Sequence, residues 1–244
     1  MRRYKIVIQY DGSYFSGWQL QKNQKTVQGE IENAIKIITN SEFRIPLKGS
    51  GRTDAGVHAM GQVAHFDLDT HLTEIEIKNA LNFYTDEHCK IMSICKVNND
   101  FDSRYDAKKR TYLYQIYTGK SILYKNQAWI IDPVDINVLN QLAKIIIGEN
   151  DFLSFSKYNS EIKNTKSTIY HSYWESKGYF SLYKISANRF LHHMIRYLVG
   201  TMVSVSNGKY STEHFKSLLH EPQKNVQIYR APACGLQLLE VEYD

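Results

Sequence analysis

The apolar residues of this chain change period in an order that can be read twice along its length: strand, helix, two strands, helix, strand. In the first half Tyr4, Ile6, Ile8 and Tyr10 alternate, the mark of a strand with one buried face. Val27, Ile31, Ala34, Ile35 and Ile38 then follow helical spacing behind Thr26, which is placed to cap. Residues 43–47 and 62–68 read as short strands. Thr73 and Glu76 form a capping box ahead of a second stripe, Ile77, Ala80, Leu81 and Tyr84, and residues 90–97 close the set as a strand. The second half repeats the order more loosely. A strand at 111–117 precedes a helix marked by Ile136, Leu139, Ala143 and Ile146. Residues 167–175 and 179–187 read as a hairpin turning at Lys177-Gly178. Leu191, Ile195, Leu198, Val199 and Met202 make a helical stripe, followed by a short helix near 212–219 and a last strand at 236–243. Two split βαβ units of this kind predict an α+β protein. The join falls near 100–110, where polar residues replace the alternation and Asn98-Asn99-Asp100 reads as a turn. The expected halves are therefore 1–104 and 105–244.

With 244 residues the chain can build one large domain or two small ones, each with its own core. Its apolar fraction of 43% and charged fraction of 23% fit a soluble globular protein, and no apolar run approaches the roughly 20 residues that cross a bilayer. The first residues enter a strand pattern directly, so no leader and a cytoplasmic location are expected. Three cysteines without metal-ligand spacing argue against structural disulfides. His192-His193, read as neighbours on a helix about 100° apart, are poorly placed to share a metal, and none is expected. The net charge of +5 is mild, and its distribution says more than its size. Lys108, Lys109 and Arg110 sit beside Arg104, and Lys157, Lys163 and Lys166 share one polar stretch. Tyr105, Tyr112, Tyr114 and Tyr158 lie close to these cations. Cations for phosphates with aromatics for unstacked bases suit RNA. Taken singly, each cluster also fits a solvated surface.

Between the apolar runs 43–47 and 62–68 lies Gly49-Ser50-Gly51-Arg52-Thr53-Asp54-Ala55-Gly56-Val57-His58-Ala59. Its glycines free the backbone for tight or left-handed conformations, Asp54 supplies one carboxylate, and Arg52 supplies a planar cation suited to phosphate. From the residues alone this is either a reactive loop or a hairpin turn whose aspartate bonds nearby amides. It is neither the lysine-bearing phosphate loop nor the dinucleotide fingerprint.

This segment resembles the active-site motif of the bacterial tRNA pseudouridine synthase A family. So do Tyr10-Asp11-Gly12, Gly17-Trp18-Gln19 and Thr26-Val27-Gln28-Gly29-Glu30 in the first half. Residues 101–105, Arg110-Thr111-Tyr112, residues 190–200 and residues 233–236 continue the match in the same order. The family often has Ala where this chain has Ser50. The resemblance implies two ferredoxin-like βαββαβ halves with a shared, largely antiparallel sheet and a central active-site cleft. It also implies isomerisation of uridine to pseudouridine in the anticodon stem-loop of tRNA, at positions 38, 39 or 40, by a homodimer that uses no cofactor. By motif, Asp54 is the catalytic residue. Tyr112 corresponds to a tyrosine that stacks on the target base, although its place in an alternating strand also fits plain core. Arg196 corresponds to the ion-pair partner of the aspartate, although an arginine beside a buried stripe also reaches solvent by snorkelling. Arg52, His58, Lys109 and Arg110 are candidate RNA contacts. Two other functions compete: a catalytically inactive RNA-binding protein of this fold, and a phosphoryl-transfer enzyme, which would want the lysine and the metal-binding carboxylate that the loop lacks.

Overall fold

The computed structural model describes residues 1–243 as two compact units, the first formed by Met1–Lys108 with the chain from Gln237 onward, the second by Lys109–Leu236. The expected division at 104/105 therefore moves to 108/109, and the closing strand leaves the second half for the first. Both units mix helices with largely antiparallel strands, which is the α+β class the sequence predicts.

The first unit opens with β1 (Arg2–Tyr10), whose Tyr4, Ile6, Ile8 and Tyr10 are buried as their alternation requires. Helix α1 (Val27–Thr39) starts where the Thr26 hydroxyl accepts the Gly29 amide at 3.2 Å, and stops at Asn40 in the left-handed conformation. A two-residue strand β2 (Lys48–Gly49), a long β3 (His58–Leu68), helix α2 (Glu74–Tyr84) and β4 (Cys89–Val97) follow. Thr73 and Glu76 form the capping box expected for α2. β3 lies between β1 and β2 and is antiparallel to both, while β4 pairs with the other edge of β1. This insertion of one strand between two joined by a helix is the split βαβ arrangement.

Residues 43–47 are not the strand their composition suggests. Glu32, buried on α1, takes their hydrogen bonds: its carboxylate accepts the Leu47 amide at 2.8 Å and both Nε and Nη2 of Arg44. Pro46 has no amide to give a ladder. Pairing begins instead at Lys48, opposite His65. The last strand, β10 (Leu236–Glu242), runs parallel to β3 through Gln237 and Leu238. The Lys108 amide bonds to Glu242 O at 2.8 Å, and Tyr243 Oη donates to Ser103 O at 2.8 Å. These long-range bonds place the end of the chain in the first unit, and no local pattern announces them.

In the second unit β5 (Lys109–Tyr117), β6 (Trp129–Ile130), α3 (Ile136–Ile145), β7 (Gly148–Asp151), β8 (Lys166–Lys177), β9 (Phe180–Ala187), α4 (Met194–Ser206) and α5 (Thr212–His220) follow in order before β10. The antiparallel order is β5-β9-β8-β7, with β6 parallel to β5. The hairpin between β8 and β9 sits where expected, with Lys177 opposite Phe180. Short β6 and β7 have no signature in the sequence, because two to four residues carry no period. Nearly every residue of α4 is buried, Arg196 included.

His65 on β3 shows how burial sets a protonation state. Its Nδ1 accepts the Ser103 amide at 3.1 Å and lies 2.9 Å from Ser103 Oγ, while Nε2 is buried without a hydrogen-bond partner. Burial, then the nearby Arg3 charge, pushes the imidazole below its ordinary range. The folded state thus holds His65 neutral and the unfolded state binds its proton more readily. Stability should be unaffected above about pH 6.5 and should fall as pH drops from there toward the lowered folded value. Urea midpoints measured from about pH 8 to about pH 5 should show a steeper acid loss in wild type than in His65→Gln. Parallel curves would remove His65 as the cause.

Candidate active site

The segment after β1 forms the bed of the glycine-rich loop. Gly12 and Trp18 bond to the loop's backbone: the Gly56 amide donates to Gly12 O at 3.2 Å, and the Trp18 amide to Thr53 O at 3.0 Å. A Cβ on Gly12 would lie 2.1 Å from Val57 O, so the two backbones could not approach with any side chain there. Asp54 to Val57 form a turn closed by Val57 N to Asp54 O at 3.1 Å, with Gly56 at φ +79° in the third position, as a type II turn demands. Asp54 is half-buried and Arg52 is exposed.

Beneath the loop lies a polar network. Tyr10 Oη and Thr53 Oγ1 are 2.8 Å apart, and both residues are buried. Gln62 of β3 accepts Ser50 Oγ at 2.7 Å, donates to Gly51 O at 3.1 Å, and reaches the Tyr10 phenol at 3.5 Å. The Ser50 amide pairs with Val63 O at 2.8 Å. His58, the first residue of β3, has its Nδ1 3.2 Å from the Gly12 amide and 3.1 Å from Asp11 Oδ1. The loop is thus held from β1, from β3 and from the segment between. Tyr10 lies within the Tyr10-Asp11-Gly12 motif, and a phenol at a buried strand position needs a polar partner. Thr53 as that partner is visible in the fold alone.

In the second unit Tyr112 lies on β5 opposite Ile185 and shares a face with Tyr114 and Ile116. Tyr114 is wholly buried and its phenol donates to Pro232 O at 2.8 Å, whereas Tyr112 is half-buried, edge-on to Phe190 with ring centroids 5.2 Å apart. Of the pair, Tyr114 is core. Arg196 does not snorkel: it is buried, and its Nε donates to Ala231 O at 2.8 Å while the Ala231 amide returns a bond to Arg196 O at 3.0 Å. This reciprocal pair depends on Gly200, one turn further along α4, where a Cβ would lie 2.0 Å from Tyr229 O. Neither Gly200 nor Ala231 was singled out from sequence, although a glycine inside a helical stripe is itself a sign of close approach.

His192 and His193 are not helical neighbours. α4 begins at Met194, His193 adopts the left-handed conformation at φ +64°, and the two rings face each other with centroids 3.9 Å apart. Helical divergence therefore does not separate their rings. Lys109 is half-buried at the head of β5, and Arg110 donates through Nη1 to Asn188 O at 2.7 Å, so part of that guanidinium serves the structure.

The first unit thus holds a carboxylate on a pinned turn, and the second, described by itself, holds a half-buried tyrosine and a buried arginine. A family model described as tRNA pseudouridine synthase matches residues 6–106 and 142–244. Proteins named tRNA pseudouridine synthase A are similar along the whole length. That of Maridesulfovibrio salexigens is 38% identical over 249 residues, spanning 100% of this chain and 91% of that protein. That of Ehrlichia chaffeensis is 40% identical over 247 residues, spanning 99% and 100%. That of Anoxybacillus flavithermus is 35% identical over 246 residues, spanning 100% of each. The chain belongs to the tRNA pseudouridine synthase family.

Gly200→Ala tests the clamp on Arg196. The added methyl must push the backbone at Tyr229 away from α4, which should cost about 1–3 kcal/mol as overpacking and weaken the Ala231 bonds. Urea unfolding reads the loss. A variant as stable as wild type would mean that the segment at 229–231 yields without strain.

Proposed function

We propose that this chain isomerises uridine to pseudouridine in tRNA, at positions 38, 39 or 40 of the anticodon stem-loop, with Asp54 as the nucleophile. The reaction breaks the N1–C1′ bond, turns the base and forms C5–C1′, after which the C5 proton leaves. Electrons balance without an oxidant, and no phosphate is spent. What the chemistry asks of the protein is a carboxylate at an electrophilic carbon, a surface that holds the detached base, and a proton acceptor. The observation that carries the reading is the loop: its backbone is bonded on both sides of Asp54, at Thr53 and at Gly56 and Val57. Preorganisation of this kind suits a nucleophile, since reacting atoms must be held within a few tenths of an ångström of their attack geometry.

Tyr112 supplies the π-face for the base and its phenol the route for the C5 proton. Arg196 supplies the cation that keeps the nucleophile ionised, and its fixed Nε makes the direction of that charge specific. The target lies in folded RNA, so its base must leave the stack before reaction. Arg52, His58, Lys109 and Arg110 contact the RNA. The resemblance supports a homodimer acting in the cytoplasm; among the described residues no helix is long and apolar enough to cross a membrane.

Asp54→Asn and Asp54→Ala should abolish pseudouridine formation and leave tRNA affinity within a few-fold of wild type. Base-resolved mapping of pseudouridine in tRNA and a binding titration measure the two arms. Turnover by Asp54→Asn would remove the nucleophile role, and an active chain whose product lies outside the anticodon arm would correct the substrate position. Tyr112→Phe should bind tRNA as wild type does and react more slowly, while Tyr112→Ala should lose both functions. Wild-type rates in Tyr112→Phe would leave stacking as the role of that ring.

A further inference from the structure

We infer that Thr53, held by the phenol of Tyr10, is a positioning residue for the reaction: the buried hydroxyl pair fixes the backbone that presents Asp54. The inference rests on the reading of Asp54 as nucleophile. Tyr10 is a rigid source of the contact. Its ring is buried at the end of β1, edge-on to Phe15 at 6.4 Å and tilted against Trp18 at 6.3 Å. A hydroxyl on such a ring has almost no freedom to follow a moving partner. Thr53 is β-branched, which restricts its own rotation. It is bound at two points, by side chain to Tyr10 at 2.8 Å and by carbonyl to the Trp18 amide at 3.0 Å. Two bonds at different atoms of one residue fix both the position and the tilt of the peptide that leads into Asp54. Gln62 adds a second anchor further back through Gly51 O.

A buried hydroxyl pair is an unusual choice if packing were the whole purpose. Valine has nearly the shape of threonine and phenylalanine that of tyrosine, and an apolar pair would avoid the need to satisfy two polar groups away from water. The hydroxyls contribute direction instead. Their loss should therefore appear as a slower chemical step with the substrate still bound, because a displacement of about 1 Å at a reacting atom lowers rate by about 10²-fold.

The test uses the full chain with tRNA at saturating and limiting concentrations, and four variants: Thr53→Val, Tyr10→Phe, their combination and Thr53→Ser. Thr53→Val should lower kcat by about 10²-fold with KM and tRNA affinity unchanged. Tyr10→Phe, which keeps the ring and its packing, should act in the same sense. The double variant should be no slower than the worse single one, since both break one contact. Thr53→Ser restores the hydroxyl and should recover most of the rate. Wild-type kcat in Tyr10→Phe or in Thr53→Val, a defect confined to KM, additive losses in the double variant, or no recovery in Thr53→Ser would each overturn the proposal. Should Thr53→Val fold poorly, Tyr10→Phe alone carries the decision. An inactive Asp54→Asn beside a fully active Thr53→Val would refute the positioning role and leave the nucleophile standing. An active Asp54→Asn would remove both.

Discussion

The close docking of two stretches of backbone, 12–18 and 53–57, is the constraint on which the first unit depends. Hydrogen bonds join them at both ends, and the absent side chain of Gly12 is what allows the approach. The same stretch carries the start of α1 on its other side: Val27 N bonds to Gly17 O at 3.2 Å and Gln28 N to Trp18 O at 3.0 Å. Helix, strand and loop therefore share one bed. The first turn of a helix always has amide groups seeking acceptors. Here some are answered by the segment that also supports the loop, so α1 cannot shift without disturbing the residues beside Asp54.

The second unit reaches a similar rigidity by a different route. The stretch from Tyr229 to Pro232 runs against α4 at Gly200, exchanges two bonds with Arg196 through Ala231, and accepts the Tyr114 phenol at Pro232. An arginine buried without partners would be costly. The Ala231 carbonyl answers one donor of its fork and orients the plane. The segment carries no regular structure of its own, yet it fixes the one charged side chain of a helix that is otherwise uncharged and mostly buried. Loops of this sort are silent in a periodicity analysis, because their meaning lies in what they touch.

That contrast explains how much of the molecule the sequence disclosed. Where one face of a strand or helix is buried by its own period, as in β1, α1 and α4, the pattern and the structure agree. Where a distant group intervenes they part. Glu32 draws residues 43–47 out of the sheet, β3 draws the chain's end away from the unit that precedes it, and a single left-handed residue at His193 ends the helical argument for a histidine pair. The site follows the same rule. Asp54 is conspicuous because its loop has few alternatives, and Tyr112 and Arg196 stand out through the family resemblance. The buried Tyr10–Thr53 pair, which joins residues 43 positions apart, leaves no local trace.

The glycine-rich loop is a turn at its centre, and two aspartates beside it make their turns in different ways. Asp54 enters its turn through the backbone, its carbonyl accepting the Val57 amide. Asp11, across the same bed, behaves as turn aspartates usually do and offers its carboxylate to the Ser13 amide and hydroxyl. The Asp54 turn is closed by its backbone carbonyl, with Gly56 supplying the positive φ. Two aspartates on facing segments thus enter their turns through different oxygens, Asp11 through its carboxylate and Asp54 through its backbone carbonyl.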